Sequence, residues 1–532
     1  MKLLVAAALA AAPLLAARAQ THEHMPMPAL PKKTTPQAPA KRRAAPAPDS
    51  SRAAAPLHSM EGMTPRETVK DGEAGHVPGM DMSDGGAHHG MGGVAHDSTM
   101  TMPGMSHAFS RHLPMSRNGS GTSWHPDETP MYMWMQHRGP WMLMYHGEAY
   151  ARYTSQNFNH NNARGHANAI DGPNWGMAMA QREIGARGLL NLTLMVSLDP
   201  LTETNGGYPL LFQTGESYQG RPLIDKQHPH DLVSGLTVGY THALSEDVDV
   251  SLYAGYPGEP AIGPVAFMHR ISAMPNPDAP LSHHWTDATH ITFGVATLGV
   301  RYKQFKLEGS NFTGREPDEK RYDFDRPRAD SWAARLNWNP SRSLALQVSR
   351  AFIKSPEDLH PDENVTRTTA SVLHSRTWGE RRYLASALVW GLNEGHGARA
   401  QHAVLAETNL TLGRPTFYGR YEFVQKDGEE LGFEPTGLEP AFGNSPYDIQ
   451  ALTLGASYRL TSSATRAPEV HVGGQLTGYI VDKRIRGDVG VYGQPQEGYG
   501  KFPLSASVYV RINAPWMSPH RTGNTGMSNR KM

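Results

Sequence analysis

From about Trp141 to Asn513 the chain repeatedly alternates apolar and polar residues with a period of two, and this pattern restricts the fold more than any other feature. Leu190, Leu192, Leu194, Val196 and Leu198 alternate with Asn191, Thr193, Met195, Ser197 and Asp199. On a strand, successive side chains point to opposite faces, so such a segment has one apolar and one polar face. The pattern returns at Leu232–Tyr240, Val248–Tyr256, Leu452–Leu460, Val470–Val472 and Leu504–Ile512, and around Ile291, Phe293, Val295, Leu410 and Leu412. With weaker stretches at Trp332–Trp338, Leu344–Val348 and Val365–Leu373, the count is on the order of 12 to 16 strands, inside the range of bacterial membrane barrels.

A secreted sandwich or propeller would also alternate. Three features favour an antiparallel transmembrane β-barrel. The alternate face carries Asn, Thr, Ser, Gly, Arg, Gln and Tyr, which suits a wetted lumen. Aromatics stand near strand ends (Trp141, Tyr145, Tyr150, Tyr153, Trp338, Tyr458), and long polar connections (311–330, 428–447) separate hairpins without a blade-length repeat. One feature departs from the pattern: a tail follows the strand that ends near Asn513, and the chain finishes Arg530-Lys531-Met532.

The amino terminus reads as an export signal. Lys2 precedes the apolar run Leu3 to Ala17, and Ala17-Arg18-Ala19 has the small-x-small form of a cleavage site. Beyond it no run reaches the roughly 18 apolar residues of a spanning helix, which excludes an inner-membrane helical protein. Residues 1–19 are thus assigned to the signal, 20–125 to an arm, 126–515 to the barrel and 516–532 to a tail. Lys plus Arg equal Asp plus Glu at 50 each, and no basic stripe suggests nucleic acid. There is no cysteine, so soft-metal ligands must be thioethers, with imidazole as the borderline donor.

The arm is rich in Pro, Ala, Gly, Ser, Met and His, and is expected to be disordered because it cannot bury enough apolar surface. Its thioethers have no core to fill, so the usual gap-filling role of Met does not apply. Met80, Met82, Met91, Met100, Met102 and Met105, with His88, His89 and His107 among them, give the spacing of flexible soft and borderline donors that copper requires. An export signal, a leader carrying Gly79-Met80-Asp81-Met82 and His88-His89-Gly90-Met91, and a following barrel together resemble the outer-membrane copper-resistance proteins that accompany periplasmic multicopper oxidases. The resemblance covers residues 1 to about 145. It implies copper as the ion and periplasmic metal-handling proteins as partners.

Within the strand region, His228-Pro229-His230-Asp231 is read as opening a strand. Met268-His269 sits in a Pro/Gly-bounded segment, and His283-His284 precede Asp287 and His290, which is read as opening the next strand. Because consecutive barrel strands are neighbours, His228, His230, Asp231, His269, His283, His284, Asp287 and His290 are expected to converge as one site for copper, zinc or another divalent ion. Its affinity should fall as pH drops through about 6.5, since neutral imidazole is the ligand. The cluster Asn157, Asn159, His160, Asn161, Asn162, Arg164 and His166 reads as a polar turn.

No Gly-x-Ser-x-Gly elbow, phosphate loop or Cys nucleophile is present, and His269 with Ser272 makes a poor pair because strand residues three apart face opposite ways. The expectation is a non-enzymatic, metal-binding outer-membrane barrel with a periplasmic arm. Its rivals are a general porin, a barrel hydrolase and a soluble β-protein that stores metal.

Overall fold

In the computed structural model the described residues are 110, 113, 117, 124–203, 205–395, 400–433, 446–462, 467–487 and 498–517. The export signal, nearly all of the arm and the tail beyond 517 lie outside them.

The alternating segments form β1 Trp141–Gln156, β2 Asn174–Ile184, β3 Gly188–Val196, β4 Val233–Ala243, β5 Val248–Gly255, β6 Val295–Tyr302, β7 Phe305–Phe312 and β8 Ser331–Ser341. The second half is β9 Leu344–Lys354, β10 Asn364–Thr377, β11 Arg382–Glu394, β12 Gln401–Leu412, β13 Pro415–Lys426, β14 Tyr447–Arg459, β15 Glu469–Val481 and β16 Leu504–Asn513. Each pairs antiparallel with the next, and β16 returns to β1 in the register Glu148↔Asn513 to Ser155↔Ala506, which closes a 16-strand barrel. Ala167–Asp171 continues β2 along β1, and Trp134–Arg138 makes a hairpin onto β1.

The period-two reading holds in most strands; at β6 the set Ile291, Phe293 and Val295 is buried instead, and Leu298 and Val300 face out. Leu192, Leu194 and Val508 are 39%, 43% and 61% exposed on the outside, while Asn191 and Ser507 are buried inside. A closed sheet leaves no edge groups unpaired, so an apolar outer band can face hydrocarbon. Tyr145, Tyr153, Trp338 and Tyr458 stand on that face. Tyr150 does not: it falls on the inward set of β1, and its hydroxyl donates to the Met274 carbonyl at 2.6 Å.

Short turns and long connections alternate between the two ends, and the chain enters and leaves at the short-turn end, where Tyr132 bridges Trp516. Tyr383 and Trp516 stack at 5.7 Å there, so the first residues of the tail help close that end. Leu113 and Trp124, which the sequence places in the arm, pack against Val265, Ala345 and Leu405 on the inside.

The connection between β5 and β6 folds inward as a plug. None of the residues from 257 to 290 is exposed. The segment is rich in Pro and Gly, forms almost no ladder, and so must find partners for its backbone elsewhere. The polar lumen face supplies them. Ser349 Oγ accepts from Gly263 N at 3.0 Å, Asn409 donates to Ile271 O at 2.8 Å, Tyr509 to Pro275 O at 2.6 Å and Asn393 to His284 O at 3.1 Å. Two glycines permit this fit. Gly263 has φ +76° and a Cβ there would meet Thr286 O at 2.2 Å, while a Cβ on Gly391 of β11 would meet Trp285 O at 2.3 Å. The plug also corrects a strand boundary. Ile291 and Phe293 are buried at its end, and β6 begins at Val295.

Candidate metal centre in the lumen

Three connections deliver the polar cluster. The β3–β4 connection brings Glu216, His228, His230 and Asp231; the plug brings His283, His284, Asp287 and His290; the β7–β8 connection brings Glu316 and Arg321. These loops meet because consecutive strands carry them to the same end of the barrel. His283–Thr286 is a single helical turn that runs into the turn Ala288–His290. His290 therefore lies in that turn and does not open a strand, and the backbone from 228 to 232 is likewise irregular before β4 starts at Val233.

The imidazoles lie side by side. Ring centres are 5.2 Å apart for His283–His290, 5.3 Å for His283–His284, 5.5 Å for His230–His290 and 5.8 Å for His228–His284. With metal–nitrogen bonds of about 2 Å, two imidazoles on one tetrahedral ion have ring centres about 5 Å apart. Their Nδ1 atoms are occupied: His230 meets Asp199 Oδ2 at 2.8 Å, His283 meets Asp287 Oδ1 at 2.8 Å, His290 meets the Asp287 carbonyl at 2.8 Å and His228 meets Glu216 Oε1 at 3.0 Å. The Nε2 atoms of His230, His283, His284 and His290 are buried without a hydrogen-bond partner. A carboxylate that accepts from Nδ1–H fixes the tautomer and leaves the Nε2 lone pair available, which is the usual support for a ligating histidine.

Charge balance in this cluster is set by burial. It pushes His228 down to about 4 despite the neighbouring Glu216, and His284 and His290 well below the usual histidine range, with His283 adding to the effect. Titration near 6.5, expected from sequence, thus moves to about 4 at His228. Burial pushes Asp231 up to about 7 against the pull of Arg321, and Glu316 up to about 7 with Glu216 adding repulsion. Burial would also raise Asp287, but His283 and Arg270 outweigh it and hold this carboxylate well below the ordinary range.

The structure therefore brings together His228, His230, Asp231, His283, His284, Asp287 and His290. His269 lies apart from them, against Trp175 at 4.5 Å and His146 at 5.9 Å. Met80, Met82, Met91, Met100, Met102, Met105, His88, His89 and His107 lie outside the described residues. Sequence reasoning missed Asp199 and Glu216 in the β3–β4 connection and Glu316 and Arg321 in the β7–β8 connection, none of which carries a local motif. Among the described residues, the group of three His, Asp or Glu ligand atoms within 4.8 Å of one another is Asp318, Asp323 and Asp325 on an outer loop. Two of those carboxylates are exposed, and exposed acidic groups of this kind are common without an ion. The imidazole cluster does not meet that spacing, and its rings would have to rotate to close on an ion.

The other candidates resolve into structure. Ser272 donates to Glu407 at 2.8 Å, so it forms no pair with His269. Asn157 donates to the carbonyls of Arg164 and Tyr499, both at 2.9 Å, as a polar turn does.

No family model and no curated protein matches the chain. Solved structures similar to it include an OmpF of Salmonella typhi in complex with daunomycin, at 10% identity over 71% of this chain and 100% of that one, TM-score 0.43. A loop L8 deletion mutant of OmpT, an outer membrane protein of Vibrio cholerae, aligns at 9% identity over 70% and 99% with TM-score 0.40. An anion-selective porin from Comamonas acidovorans aligns at 11% over 70% and 99%, also with TM-score 0.40. On its own closed sheet and outward apolar band, the chain is an outer-membrane β-barrel of 16 strands.

Proposed function

We propose that this protein is a non-enzymatic metal-binding barrel of the outer membrane that takes its ion, copper, in the lumen at the imidazole cluster, with the Met/His-rich arm as the periplasmic collector. One observation carries the reading. Four buried Nε2 atoms, on His230, His283, His284 and His290, have no hydrogen-bond partner although the Nδ1 atoms of three of those rings are tightly held. Leaving a buried polar atom unsatisfied costs about 1–3 kcal/mol, so a cluster of such atoms makes sense as donors awaiting an ion. Imidazole with supporting carboxylate suits Cu(II) or Zn(II), and the arm's thioethers suit Cu(I). Weak exchangeable sites on the arm would raise the local ion concentration near the barrel.

The test is Cu(II) and Zn(II) titration of the detergent-solubilised full chain beside His230→Gln, His283→Gln and His290→Gln. Binding that weakens by about tenfold or more in the variants supports the reading. Unchanged affinity overturns it, and bilayer conductance of the metal-free chain comparable to an open pore would favour the general porin instead.

A further inference from the structure

A second group of donors lies beside the first and has a different character. The inward positions of β1–β3 carry Met142, Met144, Met177, Met179 and Met195, all buried, whereas buried apolar inward residues of β8–β12, such as Ala333, Ile353, Leu373, Val389 and Leu405, are aliphatic. In the register, Met144 faces Met179, and His146 faces Met177, which faces Met195. The plug lowers Met268 and His269 onto this wall, and His269 packs between His146 and Trp175. A cavity of about 80 Å³ remains between wall, plug and entering chain, and its lining includes Met131, Met133, Met268, His125, His146 and His269.

We propose that this chamber is a soft-metal site, taking Cu(I) or its mimic Ag(I) through thioether sulfur and imidazole nitrogen. The gap-filling role of Met explains a buried thioether in a core. It does not explain why His146 Nε2 and His269 Nε2 are buried among those thioethers without a hydrogen-bond partner. The one carboxylate on the cavity wall, Glu148, is engaged by Tyr150 Oη at 3.2 Å and by Arg511 at 3.4 Å. The lining's cation, Arg270, is paired with Glu407 at 2.6 Å and Asp287 at 3.3 Å, which leaves a neutral donor set that suits a monovalent soft ion better than a hard divalent one. The chamber adjoins the imidazole cluster: Phe267, which packs against the methionine group, lies with its ring 5.3 Å from that of His283, and the two sites have no histidine in common. Its validity does not depend on the cluster binding metal.

The experiment uses the full chain with the arm's methionines between residues 25 and 115 changed to leucine, so that thioethers remain only in the barrel and beyond it. It is titrated with Ag(I) and Cu(I), and the bound ion is examined by X-ray absorption. The expected result is about one ion per chain with both sulfur and nitrogen donors. Adding Met131→Leu, Met133→Leu and Met268→Leu should weaken that binding by about tenfold or more, with Zn(II) binding unchanged. If the triple variant fails to fold, His269→Gln in the same background reads out the nitrogen donor. No retained soft ion, a shell without sulfur, or binding indifferent to both sets of substitutions overturns the proposal. Loss of Zn(II) binding alone would count against the imidazole cluster and not against the chamber.

Discussion

The two sides of the lumen solve the same problem in opposite ways. The wall made by β1–β3 presents neutral thioethers, with Met144 opposite Met179 and Met177 opposite Met195. The wall made by β7, β8, β12 and β13 presents charges in pairs: Lys306 and Arg335 meet Glu308 at 2.8 and 3.0 Å, and the plug's Arg270 and strand residue Arg420 meet Glu407 at 2.6 and 3.0 Å. The plug packs between the two walls. On the charged side every ion needs its partner, since breaking a buried pair leaves an uncompensated charge. The thioether side carries buried pairs too, Arg152 of β1 with Asp171 at 2.6 Å and Glu148 with Arg511 at 3.4 Å, and what sets its methionines apart is donor chemistry.

The sharpest test of the contrast is Glu407→Ala. It strands Arg270 and Arg420 and should cost about 3–5 kcal/mol in urea unfolding of the detergent-refolded protein. A loss below about 1 kcal/mol would mean that water reaches this wall. Next in size is Leu194→Arg on the outer face of the thioether wall, expected to cost about 2–4 kcal/mol in bilayer folding if that position lies near the midplane. Asn191→Ser, one strand position set inward, should be far milder, and equal losses would remove the assignment of faces.

Asp287→Asn probes the plug that separates the walls. Asp287 Oδ2 accepts from Phe267 N at 2.9 Å and Oδ1 meets His283, so the substitution should cost about 1–3 kcal/mol near neutral pH. The folded carboxylate is held below the ordinary range by His283 and Arg270 against the effect of burial. Its contribution is therefore present above the unfolded value, about 3.9, and is lost as pH falls below it. Urea curves of wild type and variant should converge in acid, whereas a constant gap would mean that the charge is not what Asp287 contributes. Smallest is Met268→Leu, a volume-conserving change that should move stability by less than about 1.5 kcal/mol while altering soft-metal binding. A larger loss would return this thioether to a packing role.

How far the sequence could be read depended on whether the information was local. The alternation at Leu190–Asp199 and Leu504–Ile512 already determined which residues face lipid, because a strand's period is a property of the backbone. The wet-looking face it predicted is present, but it is spent on the plug's backbone and on paired ions. Of the aromatics read near strand ends, Tyr145 and Tyr153 face outward and Tyr150 inward, which their odd and even positions on one strand require. At the site, the clustering of His228, His230, His283, His284 and His290 was legible from their crowding into two connections. Glu216 and Glu316 were not, because they come from elsewhere in long connections and carry no motif.

By itself the sequence determined a closed, antiparallel, outward-apolar sheet, the absence of thiol ligands and the supply of thioether and imidazole donors. Only the tertiary structure decided that residues 257–290 turn inward, that His269 joins His146 and not His290, and that methionines from three strands form one wall. The reason is physical: alternation tells each side chain which way to face, but what it meets there depends on closure of the barrel. A loop folds inward only when distant polar side chains can satisfy its backbone, and that balance is set by residues far apart in the chain.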